Sequence, residues 1–167
     1  EGFASDDFNR PDDTSLGANY TVQFGLNDMK VLSGKAVPTN YSHDCGSLWD
    51  TTLFANDQAG EIVVGTLGSP GVVHAGVGVL LRGSFGLETF YRAYASLASN
   101  SVRIARRLAG TASTLATLTG AGIASGDILR FDATGTTLTV YKNGTQILQT
   151  TDSNISGGQV GVTYSST

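Results

Sequence analysis

Arginine and aromatic residues near the middle of the chain are residue types that could recognise a sugar. A pyranose ring packs its apolar side against an aromatic face, and planar groups such as Arg or Asp bind its hydroxyls. The residues predicted to form such a carbohydrate-binding site are Trp49, Asp50, Arg82, Tyr91, Arg92 and Tyr94. Core packing is the alternative for many of these aromatic rings, above all for Trp49, which follows Leu48.

A second group of side chains has the chemistry of a calcium site. Calcium prefers clustered oxygen ligands from Asp, Asn and backbone carbonyls. Asp6, Asp7, Asn27 and Asp28 would form such a cluster if the first strand pairs near the turn at Asn27. The alternative is that they are solvated turn residues that hold no ion.

The acidic residues do not follow a pattern that cleaves glycosidic bonds. That reaction needs two carboxyl groups that face each other across the scissile bond. Glu1, Glu61 and Glu88 are far apart in sequence, and the adjacent Asp6 and Asp7 would point to opposite faces of a strand. The chain also has no Gly-x-Ser-x-Gly elbow. We therefore predict a protein without enzymatic activity, with a divergent glycoside hydrolase as an alternative.

The net charge and the apolar segments of the chain indicate which classes of partner it can bind. The formal net charge of -4 on 167 residues gives no electrostatic reason to bind nucleic acid. Arg103, Arg106 and Arg107 form a basic cluster, which we interpret as a solvated strand face rather than an anion site. No apolar run approaches the roughly 18 residues of a membrane-spanning helix, so no membrane insertion is predicted.

The single cysteine, Cys45, is predicted to be a small packed residue. It cannot form an internal disulfide, and no neighbouring Lys or Arg activates its thiol. His43 lies two residues away, but a zinc site needs further Cys or His ligands. We therefore predict no metal centre at His43 and Cys45.

Short β-strands must position all of these side chains. Charged residues make up 14% of the chain, Gly accounts for 22 residues, and short alternating segments recur between turns, which is typical of an all-β sandwich. Alternation places Arg92 and Tyr94 on one face, and Arg82 is expected beside Arg92 on the same sheet surface. The predicted strands cover residues 20–25, 29–37, 51–55, 61–67, 75–82, 89–96, 101–108, 113–118, 128–133, 137–142, 145–149 and 159–164.

The clearest local prediction is a hairpin that turns at Asn143-Gly144. Both positions favour the positive φ that a type I′ turn requires, and a two-residue turn sets the register. The expected opposite pairs are Lys142 with Thr145, Tyr141 with Gln146, and Val140 with Ile147. The last pair is expected in the core, while the middle pair faces solvent or a ligand.

Several segments occur in an order that points to a known superfamily. They are Asp6-Asp-Phe-Asn-Arg-Pro-Asp12 with Leu16-Gly17, Leu81-Arg82, Phe90-Tyr-Arg-Ala-Tyr94, residues 102–110 with Leu115, and residues 126–131 with Val160-Gly-Val162. In this order they resemble the concanavalin A-like lectin/glucanase superfamily, in the laminin-G-like branch found in bacteriophage virion proteins and bacterial surface proteins. The resemblance implies an all-β, two-sheet antiparallel jelly-roll sandwich that covers residues 1–167 as one domain.

The resemblance determines the fold more closely than the function, because this scaffold carries lectins, hydrolases and structural modules. It implies a non-catalytic jelly-roll module on a virion surface or outside the cell, such as a phage capsid decoration or a tail component. Its expected partners are other virion or surface proteins in an oligomeric assembly, together with a host glycan. The carbohydrate-binding module of a secreted enzyme is the alternative.

The resemblance has one departure at the C-terminus. Members of the superfamily usually continue with another strand after the Gly-x-Val-Gly-Val element, whereas this sequence stops at Thr167. We expect either that the sequence is a fragment or that a strand edge is left for a neighbouring chain to cover.

Overall fold

The computed structural model describes residues 3–65, 76–96 and 99–166, and in these ranges every regular element is a β-strand. The strands are β1 (Tyr20–Val22), β2 (Met29–Val31), β3 (Ala36–Pro38), β4 (Cys45–Trp49), β5 (Gln58–Val63), β6 (Gly76–Gly83), β7 (Phe90–Ser96), β8 (Ser101–Leu108), β9 (Thr111–Thr119), β10 (Ile128–Thr134), β11 (Thr137–Lys142), β12 (Thr145–Thr151) and β13 (Gln159–Ser165). The described ranges contain no helix with the length and apolarity needed to cross a lipid bilayer.

The strands form two antiparallel sheets that pack face to face. The large sheet has the order β1-β4-β13-β6-β7-β8-β9, and the small sheet has the order β12-β11-β10-β5. A separate hairpin of β2 and β3 lies beside them. The predicted all-β sandwich of two antiparallel sheets is therefore confirmed.

The main core lies between the two sheets and follows from the period of two along each strand. Alternate side chains of β7 and β8 face inward, while alternate side chains of β10 and β11 meet them from the small sheet. Each fully buried Leu, Ile, Val or Phe side chain stabilises the folded state by about 1.5–3 kcal/mol relative to an exposed one. The central members are Val79, Leu81, Tyr91, Ala93, Ala95, Val102, Ile104, Leu129, Phe131, Ala133, Leu138 and Val140.

The predicted hairpin is correct for the two residue pairs next to the turn, beyond which a β-bulge shifts the register. Lys142 pairs with Thr145 and Tyr141 pairs with Gln146, but Val140 pairs with Leu148 instead of Ile147. One extra residue in β12 shifts the register at this point. Ile147 and Leu148 are both partly buried and pack against the core, which strict alternation would not allow.

Other strand predictions need correction. The segment 29–37 is two strands, because Ser33 and Gly34 adopt positive φ values of 53° and 68° and reverse the chain between β2 and β3. Residues 51–55 form no strand, whereas β4 was not predicted. The first four residues of β4 are all buried, so its sequence lacks the alternation that reveals a half-buried strand. The predicted strands at 61–67 and 75–82 extend into residues 66–75, outside the described ranges.

The last strand has no open edge. β13 pairs with β4 on one side and with β6 on the other, so it lies inside the large sheet. β13 is therefore not the strand edge that a neighbouring chain would cover, and the edge strands of the large sheet are β1 and β9.

Arg82 leaves the alternation at the end of β6 and ties the two sheets together. Its φ is 54°, and the ladder between β6 and β13 shifts register beside it. The guanidinium is 2% exposed and donates hydrogen bonds to three backbone carbonyls, those of Asn56 (3.0 Å), Gly135 (2.8 Å) and Ile155 (2.8 Å). The prediction that Arg82 shares a sheet surface with Arg92 is wrong, because the left-handed backbone directs its side chain into the interior.

Tyr91 contacts Arg82 and extends its hydrogen bonds into a buried polar network. The Arg82 guanidinium carbon lies 6.0 Å from the centroid of the Tyr91 ring, and the Tyr91 hydroxyl donates to Asp152 Oδ1 (2.5 Å). Burial and the hydrogen bond to Asp152 together raise the pKa of Tyr91 to about 12. Arg106 Nη1 binds the other oxygen of Asp152 at 2.5 Å. The network therefore connects β6, β7 and β8 to the loop after β12.

Replacing Arg82 by Lys should destabilise the fold although it keeps the charge. One ammonium group cannot reproduce the fork of N–H groups that binds three carbonyls, so buried acceptors lose their donors. We expect the free energy of unfolding in urea to fall by about 2 to 3 kcal/mol. Arg130→Lys is the matched control, because the Arg130 side chain is 48% exposed and pairs with Asp132 on the surface. The control should change stability by less than about 0.5 kcal/mol, and equal losses in the two variants would contradict the role given to Arg82.

Candidate functional site

A cleft of about 490 Å³ lies on the outer face of the large sheet, the face that points away from the small sheet. Its floor is formed by β7, β8 and β9, and its wall by two loops that precede β2 and β4. The lining residues are Gly25, Leu26, Asn27, Ser42, His43, Asp44, Arg92, Tyr94, Arg103, Ala105, Arg106, Arg107, Ala112, Ser113, Thr114 and Ser166.

Strand register places the floor residues side by side. Arg92 on β7 is opposite Ala105 on β8, and Ala105 is opposite Thr114 on β9. Arg103 is two residues from Ala105 on the same strand and opposite Tyr94. The short side chains of Ala105 and Thr114 leave room above the sheet, and longer polar side chains surround that space.

Two loops are held against this face by packing and by backbone hydrogen bonds. Leu26 packs on a small apolar cluster of Leu48, Leu80 and Phe90, whose side chains lie on the outer face of the large sheet. The Asn27 N–H donates to the Asp44 carbonyl at 3.0 Å, which ties the first loop to the second. The cleft wall is therefore anchored to the sheet.

Arg92 and Asp44 form the central ion pair of the cleft. Arg92 Nη1 lies 2.7 Å from Asp44 Oδ2, and the two side chains are only 8% and 17% exposed. The guanidinium carbon of Arg92 lies 4.7 Å from the centroid of the Tyr94 ring, and Tyr94 is 3% exposed. Tyr94 therefore packs against the Arg92 guanidinium and offers no free aromatic face to a ligand.

The electrostatics of Asp44 keep it ionised. Burial alone would raise the pKa of this carboxyl, but the charge of Arg92 and hydrogen bonds from Ser166 bring the pKa below its ordinary value. The Ser166 N–H donates to Asp44 Oδ1 at 2.9 Å. Asp44 therefore provides a fixed negative acceptor beside a fixed positive donor.

The three clustered arginines of β8 separate onto two faces of the sheet. Arg106 binds Asp152 on the inner side, whereas Arg107 pairs with Glu88 at the end of the cleft. Arg103 is partly buried, lines the cleft, and makes no hydrogen bond or ion pair with any residue that the structure describes. The interpretation of this cluster as one solvated strand face is therefore wrong for Arg106.

The structure divides the predicted sugar-binding residues among several places. Arg92 and Tyr94 line the cleft, whereas Arg82 and Tyr91 belong to the buried network between the sheets. Trp49 packs against the Tyr20 ring with a centroid distance of 5.1 Å, and it does not line the cleft.

Asp50, the sixth predicted sugar-binding residue, also lies outside the cleft lining. Its carboxylate accepts a hydrogen bond from the Thr21 hydroxyl, across the β1–β4 pair at the edge of the large sheet. Asp50 therefore has a local structural partner.

The predicted calcium ligands have local partners as well. Asp6 pairs with Arg10 at 2.6 Å, and Asp28 Oδ1 accepts hydrogen bonds from Met29 N–H (2.7 Å) and from the Ser47 hydroxyl (2.9 Å). Asp7 caps the backbone of Asn9, and Asn27 belongs to the cleft wall. Within residues 3–65, 76–96 and 99–166, no three His, Cys, Asp or Glu side chains are grouped as a metal site would require.

Cys45 is a free cysteine with no exposed surface, as predicted for a small packed residue. Burial raises the pKa of its thiol. The neighbouring His43 is exposed and lines the cleft instead of facing Cys45 as a ligand pair. His43, Asp44 and Arg103 are cleft residues that sequence reasoning missed, because only the tertiary fold brings the loop before β4 over β7 and β8.

Comparison with known proteins gives the fold and no closer relationship. No protein-family model and no curated protein sequence matches the chain. Among solved structures, carbohydrate-binding module CBM66 from Bacillus subtilis is similar, with a TM-score of 0.73 and 18% identity over 87% of this chain and 86% of that one. Sheep galectin-11 has a TM-score of 0.52 and 14% identity over 67% of this chain and 84% of that one.

A Bacillus licheniformis β-glucanase is also similar, with a TM-score of 0.55 and 11% identity over 95% of this chain and 81% of that chain. These likenesses show a jelly-roll sandwich. They are consistent with the concanavalin A-like fold that the sequence resemblance implied.

Replacing Asp44 by Asn should destabilise the wall of the cleft. The change leaves the nearly buried Arg92 guanidinium without its counter-ion, so we expect the free energy of unfolding to fall by about 2 to 3 kcal/mol. Asp132→Asn is the control, since it removes a pair whose arginine, Arg130, is largely exposed. Chemical denaturation should show a loss below about 1 kcal/mol for the control. Equal losses would mean that the Arg92 pair is no more important than a surface pair.

The ion pair of Arg92 and Asp44 should make the stability of the fold depend on pH. Because the folded pKa of Asp44 is below its unfolded value, its stabilisation is present above about pH 4 and is lost as the pH falls through the lower folded pKa. We expect the stability difference between the native chain and Asp44→Asn to shrink as the pH falls below about 4. Thermal melts across this range provide the measurement, and a difference that is independent of pH would contradict the ion pair.

Proposed function

We propose that this chain is a carbohydrate-binding module that binds a glycan in the cleft on the outer face of the large sheet, without cleaving it. The observation that carries the proposal is the cleft itself, a preformed space of about 490 Å³ with polar groups along its floor and wall. Binding sites for small ligands are concave, largely preformed, and equipped with a few fixed polar groups.

The fixed polar groups suit a sugar. Arg92 and Asp44 hold each other in place at 2.7 Å, which presents a donor beside an acceptor. Adjacent hydroxyls of a pyranose both donate and accept hydrogen bonds, so such a pair can bind them together. Asn27, His43 and Thr114 are exposed and add further polar groups around the same space.

The distribution of carboxylates supports binding without hydrolysis. A glycosidase needs two carboxyl groups across the scissile bond, one of which must remain protonated to act as the acid. Among the described residues that line the cleft, Asp44 is the only Asp or Glu, and its pKa is lowered rather than raised. Glu88 lies nearby but is bound to Arg107, and Glu1 lies outside the described residues.

The names of the structural relatives also support the proposal. CBM66 is named as a carbohydrate-binding module, and it has the highest TM-score among the relatives reported above. The placement of this chain on a virion or another assembled surface outside the cell stays a prediction from the sequence, because neither the cleft nor the structural relatives bear on it.

A bulky side chain on the cleft floor should weaken glycan binding. Thr114→Trp would fill the space above Ala105, and Thr114 is exposed, so the fold should tolerate the change. The native chain and the variant would be applied to an array of neutral and acidic glycans, and bound members measured by calorimetry. We expect the affinity to fall by about tenfold or more, since the ligand loses most of its contact with the site.

Thr134→Trp is the matched control, because Thr134 is an exposed strand residue on β10 of the other sheet. This control should bind as the native chain does. Reducing-sugar release from the bound glycan, measured in parallel, should be absent. Undiminished binding by Thr114→Trp would place the glycan elsewhere, and sustained sugar release would overturn the non-catalytic proposal.

A further inference from the structure

Arg103 differs from every other arginine of the chain. The sequence has seven arginines, all within the described ranges, and six of them lie within 4.0 Å of an Asp or Glu oxygen. Arg103 alone has no such partner among the residues described, although it is partly buried. A partly desolvated guanidinium without a counter-ion is a favourable position for an anion supplied from outside.

The position of Arg103 makes it a cleft residue and not a surface charge. It lies on β8 opposite Tyr94, and Arg92 is opposite Ala105, two residues further along the same strand. Diagonal neighbours of this kind on paired strands are about 7–8 Å apart. Arg103 and Arg92 therefore flank the space above Ala105, and Arg107, two residues beyond Ala105, borders it on the third side.

The charge of the cleft is opposite in sign to the charge of the chain. The described residues that line it include four arginines and one carboxylate, Asp44, whereas the chain has a formal net charge of -4. Asp44 neutralises Arg92, Glu88 neutralises Arg107, and Asp152 holds Arg106 from the inner side. One of these arginines, Arg103, has no counter-ion among the residues that the structure describes, so its charge can act on a ligand.

We infer that the glycan bound in this cleft is acidic, and that its carboxylate or sulfate group binds the Arg103 guanidinium while neighbouring hydroxyls bind Arg92 and Asp44. The inference rests on the proposed function and specifies its ligand class. A planar guanidinium donates two parallel hydrogen bonds to a carboxylate or a sulfate, which a single hydroxyl cannot accept in the same way. A neutral glycan would leave the charge of Arg103 unused.

The test compares each acidic glycan with its neutralised form. The probes are tetramers of galacturonate and guluronate and the trisaccharide sialyllactose, each also as its methyl ester, and a κ-carrageenan tetrasaccharide, whose acidic groups are all sulfates, with its desulfated form. Calorimetry on the native chain should show binding of at least one acidic probe. The matched neutral probe should bind about tenfold or more weakly, as expected for the loss of a charge-assisted hydrogen bond. The uronate and sulfate probes distinguish the two kinds of acidic group.

Variants then assign the effect to one side chain. Arg103→Gln should lower the affinity for the acidic probe by about tenfold, which removes the preference for the acidic probe over its neutral form. Arg103→Lys, which keeps the charge without the fork, should recover part of the loss. Arg130→Gln is the control, because it removes the same charge from an exposed position on the small sheet and should have no effect. A thermal melt of each variant establishes that it is folded.

The outcomes separate this inference from the proposed function. Selective binding of an acidic probe that is lost in Arg103→Gln supports both. Equal binding of acidic and neutral probes, or native affinity in folded Arg103→Gln, overturns the inference and leaves a glycan-binding cleft. Absence of binding to every probe and to the wider glycan array overturns the proposed function and the inference with it.

Discussion

A single buried guanidinium holds the two layers of this sandwich in a fixed relation. Arg82 extends from β6 of the large sheet and donates to carbonyls in three loops, those at Asn56, Gly135 and Ile155. A buried cation is unstable unless its donors are satisfied, so the loops must take positions that supply these oxygens. Residue 135 turns the chain between two strands of the small sheet, and residue 155 leads into β13. The interaction therefore fixes the positions of these three loops relative to β6.

The cleft depends on the same network through the alternation of β7 and β8. Tyr91 points inward and contacts the buried network, so its sequence neighbour Arg92 must point outward into the cleft. On β8, Arg106 points inward to Asp152, which leaves Arg103 and Arg107 on the outer face. A change that loosened the inner contacts would therefore also disturb the register of the side chains that line the cleft.

Local chemistry could predict the parts of the fold that follow from neighbouring residues. The Asn143-Gly144 turn and the shared face of Arg92 and Tyr94 on β7 are examples, because turn geometry and a period of two act over a few residues. The bulge that opposes Leu148 to Val140 and the positive φ of Arg82 follow from packing between sheets, which leaves no trace in the alternation. The wall of the cleft could not be predicted from the sequence for the same reason, since it consists of two loops that are held over the sheet by contacts distant in sequence.

Arg103 has no counter-ion among the described residues, which suits a residue that binds a ligand. The paired arginines, in contrast, stabilise the fold. The other arginines of the cleft lining are bound to carboxylates, and their charges contribute to positioning strands and loops. Arg103 contributes no such contact within the described chain, and its partial burial already removes some of the water that would otherwise compete with a ligand. The surrounding ion pairs hold its neighbours still, so an incoming anion would meet a site that needs little reorganisation. Stability supplied by the paired arginines is therefore what allows one unpaired arginine to remain in the cleft.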